Sequence, residues 1–301
     1  METFIHSGRL GSVLRIQGED APDYLQSQLT INVADLARGS VRYGLRLNAK
    51  GRVLAGAYVL RTGEEEFLLV SRKTKAEDWL ALLEENVVAD EVEFGNETMD
   101  WRIHTLWGED ASVESSGPQL ETPESGKFLE RDDGLIFPDP RLPPGSVALL
   151  TPGDSLPKVG GIADDARPVD PDVLELRRIG SCMVSVPDEI GPGELPQEGG
   201  LEKHAVDFDK GCYLGQEMMA RMHAIGKARR QAVTVRKPGE GNVEVPADLY
   251  AGKRRIGTLK SLVMGEEGGL GIAIINESGI SFLEKDGVAL GGPEGEKITL
   301  P

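Results

Sequence analysis

Lys210-Gly211-Cys212-Tyr213-Leu214-Gly215-Gln216-Glu217 is the stretch from which the rest of the chain is best read. Before it, Ala205-Val206-Asp207-Phe208 alternates apolar and polar residues, which predicts a half-buried strand. After it, Met218, Met219, Arg221 and Met222 predict a helix that Gly226 ends. A cysteine between a strand and a helix start meets backbone N–H groups and the positive end of the helix dipole. With Lys210 two residues away, the pattern favours the Cys212 thiolate and predicts a pKa below the free-thiol value of about 8.5. Gly211 and Gly215 permit a sharp turn or a close approach to a ligand. A tight turn around a small buried cysteine satisfies the same pattern, so local physics leaves both readings open.

Three further stretches belong with the octet: Gly18-Glu19-Asp20-Ala21 continuing through Leu25-Gln26 to Leu29-Thr30-Ile31-Asn32-Val33, Leu47-Asn48-Ala49-Lys50-Gly51-Arg52-Val53, and Arg254-Arg255-Ile256-Gly257-Thr258-Leu259. The octet reads KGCY-x-GQE and resembles the signature of the YgfZ-type folate-binding proteins. These are relatives of the aminomethyltransferase (T-protein) of the glycine cleavage system, and they assist maturation of iron–sulfur proteins. The other stretches resemble that family's first helix, its first hairpin and the opening of its C-terminal barrel. The resemblance runs from about residue 10 nearly to the end and is weak only from about 108 to 170. It implies an α+β multidomain fold with ferredoxin-like mixed sheets and a small C-terminal β-barrel. The implied parts are a folate-binding-type α+β domain over 1–110, completed by part of 170–230, a second α+β domain over 111–230 that carries the octet, and the barrel over 231–301.

The composition agrees with a folded chain of this size. At 301 residues the protein is long enough to bury roughly three quarters of its unfolded surface. No apolar run approaches the ~18 residues of a membrane span, and Met1-Glu2-Thr3-Phe4-Ile5-His6 has no secretory pattern. Two cysteines make no disulfide framework and suit a reducing, cytoplasmic setting. A net charge of −17 opposes tight nucleic-acid binding.

Local patterns predict the elements. Asp20 with Pro22 starts a helix running to about Leu29, and Val41–Leu47 and Arg52–Leu60 form a hairpin around Asn48–Gly51. Phe67–Ser71 is a strand, and Thr74-Lys75-Ala76-Glu77 is a capping box opening a helix with Ala76, Trp79, Leu80 and Leu83 on its apolar face. Alternation returns at Glu91–Phe94 and Met99–Trp107, and 112–126 reads as a loop. Asp170-Pro171-Asp172 starts a helix burying Val173, Leu174 and Leu176. Short strands follow at Ala232–Arg236, Val243–Val245, Arg255–Leu259, Leu270–Ile275 and Ile280–Leu283.

Candidate chemistry narrows to the octet and its surroundings. Cys182 and Cys212 are too few, and His6, His104, His204 and His223 too scattered, for this chain alone to hold a stable iron–sulfur cluster or metal. No phosphate-cradling loop or nucleophile elbow occurs. Cys212 reads as nucleophile, redox group or transient ligand, with Lys210 raising the local potential. Tyr213 offers an aromatic face for a pterin, and Gln216 and Glu217 cap a helix or contact a ligand. Arg221, Lys227, Arg229 and Arg230 form either an anion site for folate carboxylates or solvated surface.

Against the T-protein, two positions depart. Its hairpin resembles GG-V-I-D-D-L, whose Asp pair supplies the carboxylate near the transferred carbon. This chain reads Gly51-Arg52-Val53-Leu54-Ala55-Gly56-Ala57, so both carboxylates are missing, and Ala or Gly cannot stabilise positive charge on the transferring carbon. Its L-R-L-E-A-G helix, whose Glu contacts the pterin, aligns without gaps to Leu176-Arg177-Arg178-Ile179-Gly180-Ser181, which puts Ile179 at the Glu position. The resemblance therefore implies an accessory protein that assembles or maintains iron–sulfur enzymes, and through them affects tRNA modification. Tetrahydrofolate is its implied ligand, in a folate-sized cavity, and iron–sulfur client or assembly proteins are its implied partners. A one-carbon transferase or demethylase using another acid, and a ligand-free scaffold, are the alternatives, and the presence of a catalytic step stays open.

Overall fold

In a computed structural model, residues 2–108, 123–153, 166–226, 228–266 and 268–301 are described. Most of the predicted 112–126 loop lies outside them, as does Lys227. The chain begins with strands β1 (Thr3–Gly8) and β2 (Ser12–Gln17), then helix α1 (Ala21–Gln28). Asp20 sits at the α1 N-cap as predicted, but its carboxylate accepts the Glu91 N–H at 2.7 Å and makes no cap bond. The predicted hairpin forms from β3 (Val41–Leu47) and β4 (Val53–Arg61), with Tyr43 directly opposite Tyr58. β5 (Glu66–Ser71) and helix α2 (Ala76–Glu84) follow. The capping box does not form: Lys75 is the N-cap, and the buried Thr74 hydroxyl has no hydrogen-bond partner among the described residues.

With β6 (Glu93–Asn96), these strands make an antiparallel sheet of order β3-β4-β5-β2-β6. Helices α1 and α2 cover one face, where Leu25, Trp79 and Leu83 pack on Ala55, Ala57, Val59 and Leu69. The other face joins the central core through Tyr43, Tyr58, Leu60 and Val70. Because both faces are covered, β4 is buried along nearly its whole length and does not alternate.

β7 (Trp101–Gly108), β8 (Leu129–Arg131), β9 (Gly134–Pro138), β10 (Val147–Pro152) and β11 (Arg167–Pro168) form a second sheet with β1, in the order β11-β1-β7-β10-β9-β8. The β1–β11 pair is parallel. Helix α3 (Pro171–Gly180) then buries Leu174, Arg178 and Ile179, while Val173, expected inside, is exposed.

The predicted strand over 205–208 is absent. Ala205 instead ends a one-turn helix, α4 (Glu202–Ala205). Its carbonyl accepts the Thr30 hydroxyl at 2.5 Å, and the Asp207 N–H donates to the Thr30 carbonyl at 2.8 Å. These backbone groups serve the segment after α1 and so add no strand to a sheet. Helix α5 (Gln216–Ile225) ends at Gly226 in the left-handed conformation, as expected.

β12 (Arg230–Lys237), β13 (Ala247–Ala251), β14 (Arg254–Gly265), β15 (Gly268–Asn276), helix α6 (Glu277–Lys285), β16 (Val288–Leu290) and β17 (Lys297–Ile298) complete the molecule. The sheet order is β12-β15-β14-β13-β16-β17. Arg236 and Thr299 exchange both backbone hydrogen bonds, at 2.8 and 3.0 Å, and curl this sheet toward a barrel. Val243–Val245 is not a strand, and Ile280–Leu283 lies in α6. The Asn276 side chain accepts the Gly279 N–H at 2.8 Å, an N-cap that starts a helix where the apolar residues alone suggested a strand. No described helix is long and apolar enough to cross a membrane.

Candidate functional site

The octet docks on the hairpin and on the end of α1. Lys210 is buried, and its ammonium donates to the carbonyls of Gln26, Leu29 and Ile31 at 2.6, 2.6 and 2.7 Å. Three donors meet three acceptors, and the cation sits at the negative end of α1. Burial pulls this amine down to about 8, with Asp207 opposing. All three of its N–H groups are therefore taken up, leaving none for the thiol of Cys212. Tyr213 is buried with its ring 5.1 Å from the Lys210 nitrogen, and its hydroxyl has no partner among the described residues. Leu214 donates its N–H to the Ser27 carbonyl at 3.3 Å. Gly215, at φ +87°, lies so close to the hairpin turn that a Cβ would fall 2.6 Å from the Asn48 carbonyl oxygen.

Cys212 itself is exposed, and it stands four positions before the first residue of α5. Cys182 is half-buried, its thiol donates to the Ala232 carbonyl at 3.6 Å, and burial raises its pKa. Gln216 is half-buried, whereas Glu217, Arg221 and Arg229 are exposed. Arg230 is committed to Glu198 through two bonds of 2.9 Å. Among the described residues no group of acids, histidines and cysteines has the arrangement of a metal site.

A second constellation lies apart from these residues. A cavity of about 170 Å³ opens between the first sheet, β1 and α3, and neither the octet nor Arg221, Arg229 or Arg230 lines it. Its wall includes Tyr43, Gly56, Tyr58, Arg72, Arg141, Glu175 and Arg178, with Arg9 and Lys73 also contributing. Successive residues of a strand face opposite ways, so Ala55 packs under the helices while Gly56 faces the cavity. A Cβ on Gly56 would lie 2.2 Å from the Tyr43 hydroxyl, so that hydroxyl occupies the space a side chain at 56 needs.

The polar wall is largely paired. Buried Asp139 accepts the Tyr58 hydroxyl at 2.6 Å and Arg72 at 2.6 Å. Burial and Asp139 push the Tyr58 hydroxyl well above its ordinary pKa. Burial alone would lower Arg72, but Asp139 and Tyr58 together outweigh it and raise the value. Arg178 spans Glu189 with two bonds of 2.9 Å and reaches Glu175 at 2.7 Å. Against burial, that contact holds the Glu175 carboxyl below its usual value. Burial raises Tyr43, while the Arg141 guanidinium, 4.7 Å from its ring centre, pulls the other way.

Apart from Gly56, the sequence did not single out these residues, because they come from six separate segments. Two signals were present: tyrosines opposite each other across a hairpin, and Glu175 and Arg178 three apart on one helix face. Ile179, which the ungapped alignment put at the pterin-contacting position, is fully buried in the core, and the residues of α3 that face the cavity are Pro171, Leu174, Glu175 and Arg178.

Residues 10–113 match the family model of the GCVT N-terminal domain. An iron-sulfur cluster assembly factor IBA57 homolog, mitochondrial, from Cryptococcus neoformans is 30% identical over 245 residues, covering 75% of this chain and 64% of the relative. The tRNA-modifying protein YgfZ of Aliivibrio fischeri is 23% identical over 275 residues, covering 85% of this chain and 80% of the relative. The glycine cleavage system aminomethyltransferase T of Bartonella henselae superposes with a TM-score of 0.78 at 17% identity, over 99% of this chain and 84% of that one. That superposition makes the three-sheet architecture the T-protein fold. With residues 10–113 matching the GCVT N-terminal domain and with YgfZ and IBA57 proteins among its relatives, the chain is a YgfZ-type member of the T-protein superfamily.

Proposed function

We propose that this protein is a folate-binding accessory factor for the assembly or maintenance of iron–sulfur enzymes, and through them of tRNA modification, without standard aminomethyltransferase activity. The names of its relatives support the iron–sulfur and tRNA-modification part of this reading. The observation that carries the lack of aminomethyltransferase activity is the Tyr43 hydroxyl, which fills the cavity space beside Gly56.

Reduced folates carry one-carbon units on their pterin-side nitrogens, and a transferase must place a carboxylate beside them. Here that place holds a phenol whose proton is kept on by burial. A phenol at this position contacts the ligand but supplies no negative charge. The cavity volume of about 170 Å³ is below the ~300 Å³ at which ordinary ligand pockets begin. It suits the bicyclic head alone, with the rest of the molecule outside. A pterin's amino and ring N–H groups form a donor edge, and Glu175 is the ionised acceptor on the wall that suits it. Cys212, exposed on the octet turn, is the group assigned to thiol chemistry or client contact. Its expected effect is loss of rescue of a null strain in Cys212→Ser with little change in fold stability.

Calorimetry with several reduced folates, paired with an assay on an aminomethylated carrier protein, tests the whole reading. Binding without methylene-tetrahydrofolate formation is the expected result. Turnover at a rate comparable to T-protein overturns the accessory role, and no folate affinity leaves a scaffold.

A further inference from the structure

We propose that Arg9 and Lys73 form a subsite at the cavity mouth for the anionic tail of the bound molecule, so that the preferred ligand is a poly-γ-glutamyl reduced folate. This rests on the folate reading for the identity of the head and on the cavity geometry for the tail.

Arg9 follows β1 and Lys73 follows β5, and both are exposed side chains that line the same cavity. Their backbones are held together at Gly11. The Gly11 N–H donates to the carbonyls of Ser71 and Arg72 at 3.0 and 3.1 Å. A Cβ on Gly11 would lie 2.6 Å from the Thr74 carbonyl oxygen and 2.8 Å from that of Lys73. The close crossing needs a residue without a side chain, and it brings two cations to one rim.

Neither cation has a hydrogen bond or ion pair among the described residues. Lys73 acts on Glu175 only at a distance, and Glu175 is bound by Arg178. The other cavity cations differ: Arg72 is paired with Asp139 and Arg178 with Glu189. On a chain of net charge −17, two neighbouring cations with no acid bonded to them form a local positive field that an external anion completes. A head that fills the cavity leaves the tail carboxylates at this rim. The cations after the octet are worse placed: Arg230 is bound to Glu198, and neither Arg221 nor Arg229 lines the cavity.

The test is calorimetry on the full chain and on Arg9→Gln/Lys73→Gln, with mono- and triglutamyl 5-formyltetrahydrofolate, a tail-less tetrahydropterin and free tri-γ-glutamate. In the native protein the triglutamate form should bind roughly tenfold tighter than the monoglutamate at low salt, an advantage that salt screens. The double variant should bring the two forms within about twofold and change tetrahydropterin binding far less, because a neutral pterin offers the two cations no negative charge. Tri-γ-glutamate alone should bind weakly to the native protein and not to the variant. An unchanged triglutamate advantage overturns the subsite, as does tail peptide that ignores the native protein or binds both proteins alike. If no folate form or pterin binds but the tail peptide does, and the variant loses it, the folate reading falls while the anion subsite stands. Equal melting temperatures for the two proteins, expected for exposed side chains, keep the comparison free of folding effects.

Discussion

At position 56 a hydrogen atom faces the Tyr43 hydroxyl, and on the proposed reading this contact keeps a transferase's carboxylate out of the cavity. Restoring an acid therefore requires two changes. Gly56→Asp alone drives a side chain into Tyr43 and sets a carboxylate in a closed space, and it should cost on the order of 3 kcal/mol in urea denaturation. Combining it with Tyr43→Ala should recover a substantial part of that loss, because the phenol is the colliding group. A Gly56→Asp protein as stable as the parent would mean that the phenol moves freely and does not define the wall. Gly56 was legible as a missing acid from the sequence. Tyr43 was not, because its role arises only when the hairpin register sets it against β4.

Among the elements, α5 shows how two glycines of similar conformation differ in consequence. Gly215 opens the helix at φ +87° and Gly226 closes it at φ +76°. A Cβ on Gly226 meets nothing within 4 Å, whereas one on Gly215 meets the hairpin turn. Gly226→Ala should cost about 1 kcal/mol, the backbone penalty alone. Gly215→Ala should cost roughly 2–4 kcal/mol, because it also pushes the octet off the hairpin. Equal denaturation midpoints for the two variants would mean that the octet is not docked there. The helix and its terminal glycine were legible from the methionine spacing and Gly226. The strand expected before the octet was not, because Thr30, 175 residues before Ala205, captures the backbone groups of Ala205 and Asp207. α6 was misread although its signal was present, in Asn276 three residues before Gly279. Long, regular segments such as the hairpin were read correctly, since their pattern is local.

Across the whole molecule, Arg178 ties the parts together. From α3 it grips Glu189, and Glu189 accepts the Ser261 hydroxyl from β14 of the last sheet. Arg178→Met should destabilise the protein by about 3–5 kcal/mol, since it leaves a buried carboxylate without its cation. The double variant Arg178→Met/Glu189→Met should lose clearly less than the sum of the single losses, which denaturation curves of all four proteins would reveal. Additive losses would deny the pairing its central part. The lysine of the octet has a further consequence, for the order in which the chain folds during synthesis. Every strand of the first sheet has been made by Asn96, and N-terminal units generally fold first. Yet the carbonyls at the end of α1 wait for an ammonium that arrives only with residue 210. Until then the early sheet has a loose end, so on the ribosome the octet acts as a latch that closes late.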